Sequence, residues 1–550
     1  MTKQTGIFSS TGGTGAGQFR RAAAVAALLG CFAGLAFQSA LRESATVDET
    51  FNIASGYFAW ETGRLPAKPN PPLLLKWFSA PLRITTGLRP FDAEAYTSGP
   101  RTSGFKFIYD NTLPADKLLN RCRSANILLG AALAILVFIW TFRLGGYEAA
   151  IPALGTFAFM PPLLAHAHLA TSDIGNALLS TAAVYFLWRA SGAPSARNFL
   201  LAGFVCGLAP AGKYTATLLI PVAVICILME GGGARFKSLA IWSAGAVLGL
   251  CLGCWPVSPI EWFMNGLSVS RDLNLGHVTY LLGETGTTGH WYYFPLAFLI
   301  KTPLPALLTA ALGLFLPKLR SGRGGRETLR YILFPAAAWM LMGVASKTQV
   351  GIRHILPVYP LLCIWCGLAA AELWRGGNLL RKTAVCLPAA WLMLGSLRAF
   401  PGYIGYFNET AGGSGRGHRF LADSNLDWGQ GLKELGIYLK EQKVEHIYLS
   451  YFGCSDPHAY GIKYSPVLMT SCVKLPGDGP LPPREGRTLL AVSVTNLLGI
   501  YYTPRDLFRW LDKVQPVRIV RDSIWVYDLT DVPGARKMLE YPGLTDPPRR

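Results

Sequence analysis

Long apolar runs alternate with short polar stretches through the first four hundred residues. The runs lie near 21–41, 124–142, 147–165, 174–190, 199–211, 214–230, 238–255, 292–316, 330–346, 355–373 and 383–400. Most approach the roughly 20 apolar residues that carry a helix across a bilayer. The fifth and sixth are short and interrupted by Pro210-Ala-Gly-Lys213, which leaves a re-entrant hairpin open there. Beyond about residue 401 the pattern changes. Strand-like runs (Ile447–Phe452, Thr488–Val494, Val517–Val520, Ile524–Tyr527) alternate with helix-like ones (Gly429–Lys443, Arg505–Lys513), and a hairpin is expected around Arg521-Asp522-Ser523. The expected fold is a polytopic α-helical membrane protein of about 11 spans, with a small C-terminal α/β domain.

Composition agrees. Of 550 residues 51% are hydrophobic and only 15% charged, where a soluble chain carries about 25%; mean hydropathy is +0.31. The net charge of +19 would suit a nucleic-acid partner if the basic residues lined one soluble face. Instead they fall in short segments between apolar runs. With the N-terminus inside, Arg20-Arg21, Arg143, Arg189 and Arg197, Arg235 and Lys237, Lys318 to Arg330, and Arg375 to Lys382 all land on one side. That is the positive-inside pattern.

The chain therefore divides into a cytoplasmic tail (1–20), a membrane domain (21–400) and an extracytoplasmic domain (401–550). The membrane domain includes a long first outer loop, 42–123, with interfacial helices. Gly-rich 11–17 lacks a preceding strand and a following Lys-Ser/Thr, so it is tail and no phosphate loop. Gln38-Ser39-Ala40 is weakly cleavage-like, but the run before it is read as an uncleaved anchor. Cys251/Cys254 and Cys363/Cys366 have CxxC spacing inside apolar runs, where cysteine acts as a small hydrophobe. Cys454 and Cys472 could pair if their domain lies outside the cytoplasm.

Unusual residues collect on the outer side. Acids are Asp48, Glu49 and Asp173; cations are Lys213, Lys301, Arg353, His354 and Arg123; further polar groups are Asn52, Asn70, His166 and His168. Singly, each could snorkel or cap a helix. As a set at span ends they point to function. Acids and cations together at a membrane surface suit a lipid-linked phosphate: cations grip the phosphate, and a carboxylate takes a proton from an attacking hydroxyl or amine. Pro71-Pro72-Leu-Leu-Leu-Lys-Trp-Phe has the character of an interfacial helix.

The acidic pair D-E after the first span, followed by G-Y-F-A-W-E-T-G-R-L and N-P-P-L, resembles the GT-C superfamily of membrane glycosyltransferases. Further matches run in order: H-A-H-L-A-T-S-D (166–173), G-L-A-P-A-G-K-Y-T-A (207–216), W-Y-Y-F-P-L-A-F-L-I-K-T-P-L-P (291–305), G-I-R-H-I-L-P (351–357) and Y-F-N-E-T-A-G-G…D-S-N-L-D-W-G-Q (406–430). More narrowly the chain is similar to bacterial relatives of dolichyl-phosphate-mannose–protein mannosyltransferases and of the lipid A aminoarabinose transferase.

The resemblance implies a sugar donor on a polyprenyl phosphate, undecaprenyl phosphate in a bacterial inner membrane, and inverting transfer on the outer face. It implies Asp48 as base, Glu49 as the neighbour orienting it or a substrate hydroxyl, and Asp173 as a second acid. Lys213, Lys301, Arg353, His354 and Arg123 would hold the phosphate, and Asn52, Asn70, His166 and His168 would contact substrate. Asn52 and Asn70 stand where relatives have His, and Asn carries no positive charge. Three acids could hold a divalent ion, but no cofactor is expected. Asp427 is read either as the N-cap of the helix that follows or as part of a functional signature. Sugar and acceptor (protein, lipid or glycan) stay open. A flippase or transporter for a lipid-linked sugar is the alternative, and a sensor or scaffold a third reading; charges at one face and the lack of internal repeats weigh against transport.

Overall fold

The computed structural model describes residues 15–64, 72–230, 234–255, 257–475, 477–478 and 487–540. The first apolar run forms α1 (Gly15–Arg42). Among the described residues, the segment after α1 folds into four helices, α2 (Glu49–Thr62), α3 (Pro72–Arg83), α4 (Ala93–Ser98) and α5 (Pro100–Tyr109), around their own apolar core of Ile53, Phe78, Tyr96 and Phe107. Then follow α6 (Ala115–Gly145), α7 (Tyr147–Ala158), α8 (Pro161–Ala167), α9 (Asp173–Gly192), α10 (Ala196–Gly212), α11 (Leu219–Leu228) and α12 (Arg235–Cys254). Helix α13 (Pro259–Gly276) and a hairpin β1 (Thr279–Leu281)–β2 (Glu284–Gly286) lie between α12 and the next long apolar segment. The helical part closes with α14 (Tyr293–Lys301), α15 (Leu304–Leu314), α16 (Gly322–Thr328), a π-helical turn Leu329–Leu333, α17 (Phe334–Ala345), α18 (Val358–Arg375) and α19 (Leu379–Ala399).

Every expected span coincides with a helix or helix pair, but several are broken. Among the described residues four continuous helices are long and apolar enough to cross a membrane: Ala16–Arg42, Ala115–Gly145, Arg235–Cys254 and Gly324–Ala345. Two more spans follow if each bent pair counts as one: α7 with α8, bent by 62°, and α14 with α15, bent by 109°. Proline explains both breaks. Pro161-Pro162 and Pro303 cannot continue the hydrogen-bond ladder of the helix before them. Leu219–Leu228 is only 10 residues long, preceded by a 3-10 turn.

Helices α10 and α12 approach closely enough that a methyl group on Gly203, Gly207, Gly245 or Gly249 would fall on the facing backbone. Small residues four apart on both helices permit that contact, in the manner of membrane helix pairs.

After α19 the chain forms a strap, 401–431, and then the C-terminal domain. Helix α20 (Leu432–Glu441) packs its apolar face on a five-stranded sheet with order β5-β3-β7-β9-β8. The strands are β3 (His446–Ser450), β5 (Lys463–Pro466), β7 (Leu489–Ser493), β8 (Arg518–Val520) and β9 (Ile524–Asp528); short β4 (Phe452–Gly453) and β6 (Thr470–Ser471) pair beside them. β3 lies parallel to β5 and β7, and β9 antiparallel to β7 and β8. The β8–β9 hairpin turns where expected, with Arg521 and Asp522 at positive φ. The run 505–513 gives only a 3-10 turn, Arg509–Lys513. Cys454 and Cys472 are disulfide-bonded, their Cα atoms 5.3 Å apart.

Candidate active site

The fold sorts charge to two poles. At one, Arg21 stacks on Tyr147, Arg375 pairs with Glu148, Lys318 with Glu372, and Arg330 reaches Met229 O. At the other, the ends of α1, α6, α8, α9, α10, α14 and the turn before α18 converge beneath the strap.

Asp48 and Glu49 start α2, and neighbouring residues on a helix point about 100° apart. Glu49 turns inward and is fully buried. It accepts Arg123 Nε on Oε1 at 2.8 Å, Arg123 Nη2 on Oε2 at 2.7 Å, and the amides of Ala170 and Thr46 at 2.9 Å each. Burial raises its pKa, but the charge and hydrogen bonds of Arg123 more than offset this and hold it below the usual glutamate value. Arg123 spends its remaining N–H groups on the carbonyls of Ala40, Glu43 and Ser44. Every Arg123 N–H is thus engaged, a correction to its expected phosphate role, and Glu49, expected to orient Asp48 or a substrate hydroxyl, does not face a substrate directly. The pair clamps α6 to the end of α1 and the start of α2, and has no free donor for a ligand.

Asp48 points the other way. It is the residue before the first turn of α2, yet its carboxylate makes no capping bond. Oδ2 accepts Arg353 Nη1 at 2.9 Å, and the side chain stays 34% exposed. Arg353 lies with its guanidinium 4.2 Å over the Trp428 ring. Asp48, Asp173 and Asp423 together raise its pKa against a burial penalty that is the largest single effect and acts the other way. Asp173 is buried at the start of α9; it pairs with Lys213 and accepts Thr171 Oγ1 at 3.0 Å. His166 Nδ1 stands 4.0 Å from Asp173 Oδ2, with the ring edge-on to Trp428.

Four polar atoms around this cluster are buried without a hydrogen-bond partner: Arg353 Nε, His354 Nε2, His166 Nδ1 and Asn176 Nδ2. Buried polar groups are nearly always satisfied. Orphans gathered about two carboxylates and two cations mark a place that a polar ligand would complete.

Of the expected site residues, the structure thus brings Asp48, Asp173, Lys213, Arg353, His354 and His166 together. Others go elsewhere. Lys301 is buried, donating to Ile404 O at 2.7 Å and Asn425 O at 2.6 Å with Phe407 beneath it; it pins the strap, a correction to its expected phosphate role. His168 uses both ring nitrogens, on Leu164 O at 2.7 Å and Glu43 Oε2 at 2.9 Å, so its expected substrate contact is corrected too. Asn52 is half-buried on α2, its backbone N–H donating to Asp48 O as the first turn of the helix requires. Asn70 lies outside the described residues. Among those residues no three His, Cys, Asp or Glu gather as a metal site would need.

The signature D-S-N-L-D-W-G-Q, 423–430, is where sequence reasoning fell short. Asp427 does not cap α20, whose first turn is preceded by Gly431. It accepts the amides of Thr495 and Gly429 instead, at 3.1 and 3.3 Å, and burial pushes its pKa up to about 7 despite those bonds. The rest of the signature ties the site together. Asn425 accepts the Ile352 amide at 2.9 Å and donates to Tyr293 Oη at 2.8 Å. Trp428 O accepts the Val47 amide at 3.0 Å, and Gln430 O the Ser44 amide at 3.1 Å. The strap thereby fixes both the segment carrying Arg353 and the one carrying Asp48. Asp423 sits at φ +53 and receives the Tyr501 hydroxyl at 2.5 Å. A non-glycine residue held there is a strained position of the kind found at functional sites.

Residues 117–259 match the family model described as dolichyl-phosphate-mannose-protein mannosyltransferase. The matched segment contains two of the ordered motifs, H-A-H-L-A-T-S-D and G-L-A-P-A-G-K-Y-T-A. No curated protein matches the chain. Among solved structures, ArnT from Cupriavidus metallidurans in the apo state is 13% identical at a TM-score of 0.45, covering 92% of this chain and 98% of that one. The same protein bound to undecaprenyl phosphate gives 14% and 0.42, over 91% and 97%. The oligosaccharyltransferase of Archaeoglobus fulgidus in complex with Zn and sulfate gives 14% and 0.36, over 75% and 55%. These likenesses are loose, and the functional reading rests on the chain's own residues and the family match.

Proposed function

We propose that the chain transfers a sugar from a polyprenyl-phosphate carrier to an acceptor on the extracytoplasmic face of a bacterial inner membrane, with inversion at the anomeric carbon. The observation that carries this reading is the Asp48–Arg353–Asp173–Lys213 cluster with its unpartnered polar atoms at the pole opposite the basic loops. Arg353 and Lys213 bind the donor's phosphodiester and neutralise the charge that builds on it as the anomeric C–O bond breaks. Asp48, the more exposed carboxylate, takes the proton of the acceptor hydroxyl or amine as that atom bonds to the anomeric carbon. Polyprenyl phosphate leaves. Asp173 and the Trp428 face keep the two cations in position, and the partial exposure of Asp48 gives an acceptor access.

Purified protein supplied with polyprenyl-phosphate sugars and a membrane extract of acceptors tests this. Labelled sugar should pass to an acceptor, and Asp48→Asn should abolish the transfer. Movement of the lipid-linked sugar across proteoliposomes without any transfer would favour the transporter. Cysteine labelling that placed residue 48 in the cytoplasm would overturn the sidedness.

A further inference from the structure

At the pole away from Asp48, a polar cavity of about 420 Å³ opens between the C-terminal ends of α9 and α11 and the segment 326–331. Trp188, Glu230, Arg326, Glu327, Arg330 and Tyr331 line it. Asp173 begins α9 and Ser191, also in the lining, nearly ends it; at 1.5 Å per residue they stand about 27 Å apart along the axis. The cavity is therefore separate from the transfer site by nearly the thickness of a bilayer core.

Its walls are arranged rather than incidental. The π-helical turn Leu329–Leu333 widens the backbone where Arg330 and Tyr331 project, and such turns are rare and often functional. Tyr331 Oη is hydrogen-bonded to Glu230 Oε1 at 2.9 Å and Ser191 Oγ at 2.8 Å. Trp188 Nε1 donates to Glu327 Oε2 at 3.0 Å. Each carboxylate is thus oriented by a neutral donor, Glu230 by Tyr331 and Glu327 by Trp188. Arg330 is steadied through Nη2 on Met229 O at 3.1 Å, and Arg326 is exposed at the mouth. Two cations and two carboxylates face one space, which matches a zwitterion better than a simple anion. The residues just before Glu230 and Arg330 are exposed and apolar: Leu228, Met229 and Leu329 are 39%, 56% and 40% exposed. The polar cup therefore sits on the rim of an apolar surface.

We propose that this cavity binds the headgroup of an aminophospholipid, its phosphate on Arg326 and Arg330 and its primary ammonium on Glu230 and Glu327. The acyl chains run down over Leu228, Met229 and Leu329. A primary ammonium can donate to both carboxylates, which a quaternary one cannot. Free phosphoethanolamine carries the same headgroup chemistry but leaves the apolar rim uncovered.

Native mass spectrometry of the full chain, delipidated in detergent, tests the assignment with four probes: phosphatidylethanolamine, phosphatidylglycerol and phosphatidylcholine of equal chain length, and free phosphoethanolamine. Phosphatidylethanolamine should be retained about tenfold better than the other two lipids, and free phosphoethanolamine not at all. Arg326→Gln, a change at an exposed position that leaves folding intact, and Glu230→Gln should each reduce that retention about tenfold. Asp48→Asn should leave it unchanged, so the result is independent of whether transfer is observed. Equal retention of the three lipids, or no effect of Arg326→Gln, would overturn the site; free phosphoethanolamine binding as tightly as the lipid would overturn the lipid as its ligand.

Discussion

The neighbouring carboxylates Asp48 and Glu49 should fail in opposite ways when each is made an amide. Glu49→Gln removes the charge opposite Arg123, which is 1% exposed and has no second carboxylate in its ion pair. Breaking a buried pair at one partner costs about 3–5 kcal/mol, because the remaining charge is left uncompensated. The amide also turns an N–H₂ towards groups that, apart from the Thr46 hydroxyl, can only donate: Arg123, Thr46 N and Ala170 N. Asp48→Asn loses one contact between partly exposed groups, a change worth under about 1 kcal/mol. Its effect should fall on transfer, where a general base contributes about 10²–10⁴-fold. The assay is the monodisperse fraction after heating in detergent, with transfer measured per folded molecule. Glu49→Gln should melt well below wild type and retain activity in the surviving fraction; Asp48→Asn should melt as wild type and transfer almost nothing. Glu49→Gln protein that is stable but inactive would refute the division of roles. The pH dependence has a definite sign. Glu49's folded pKa is depressed, so its stabilisation is present above the ordinary glutamate value and is lost as pH falls below it.

Arg353→Lys should raise the donor KM more than it lowers kcat, since a point charge replaces a planar fork stacked on Trp428; donor titration of initial rates checks it, and an unchanged KM would argue against phosphate binding there. The folded pKa of Asp427, about 7, lies above its ordinary value of 3.8, so the unfolded chain ionises first and stability falls as pH rises from about 4 to 7. Wild type should melt higher at pH 5 than at pH 8, and Asp427→Asn should flatten that slope. The Cys454–Cys472 bond closes a loop across 18 positions; replacing both by serine should cost about 3 kcal/mol. Reductant should lower the melting temperature of wild type but not of the double variant.

Hydropathy by itself located the long apolar helices of the membrane part, because insertion into a bilayer is decided segment by segment, but it left α13 inside a loop and gave no positions for α2, α4 and α5. The period-2 pattern located β3, β7, β8 and β9 and the last hairpin, but missed the edge strand β5. Adjacency in the chain said nothing of which carboxylate faces Arg123 and which faces Arg353. That is fixed by the 100° between successive helix positions and by partners 74 and 305 residues away. Charged residues at span ends looked alike in the sequence, yet Lys301 is held by backbone carbonyls and Arg123 by carbonyls and Glu49, while Lys213 and Arg353 pair with Asp173 and Asp48. The strap was the least legible part. Its Asp, Asn, Trp and Gln suit a helix start as well as a long-range clamp, and only packing against α2 and the segment before α18 selects the clamp, by satisfying buried amides that those segments cannot pair themselves.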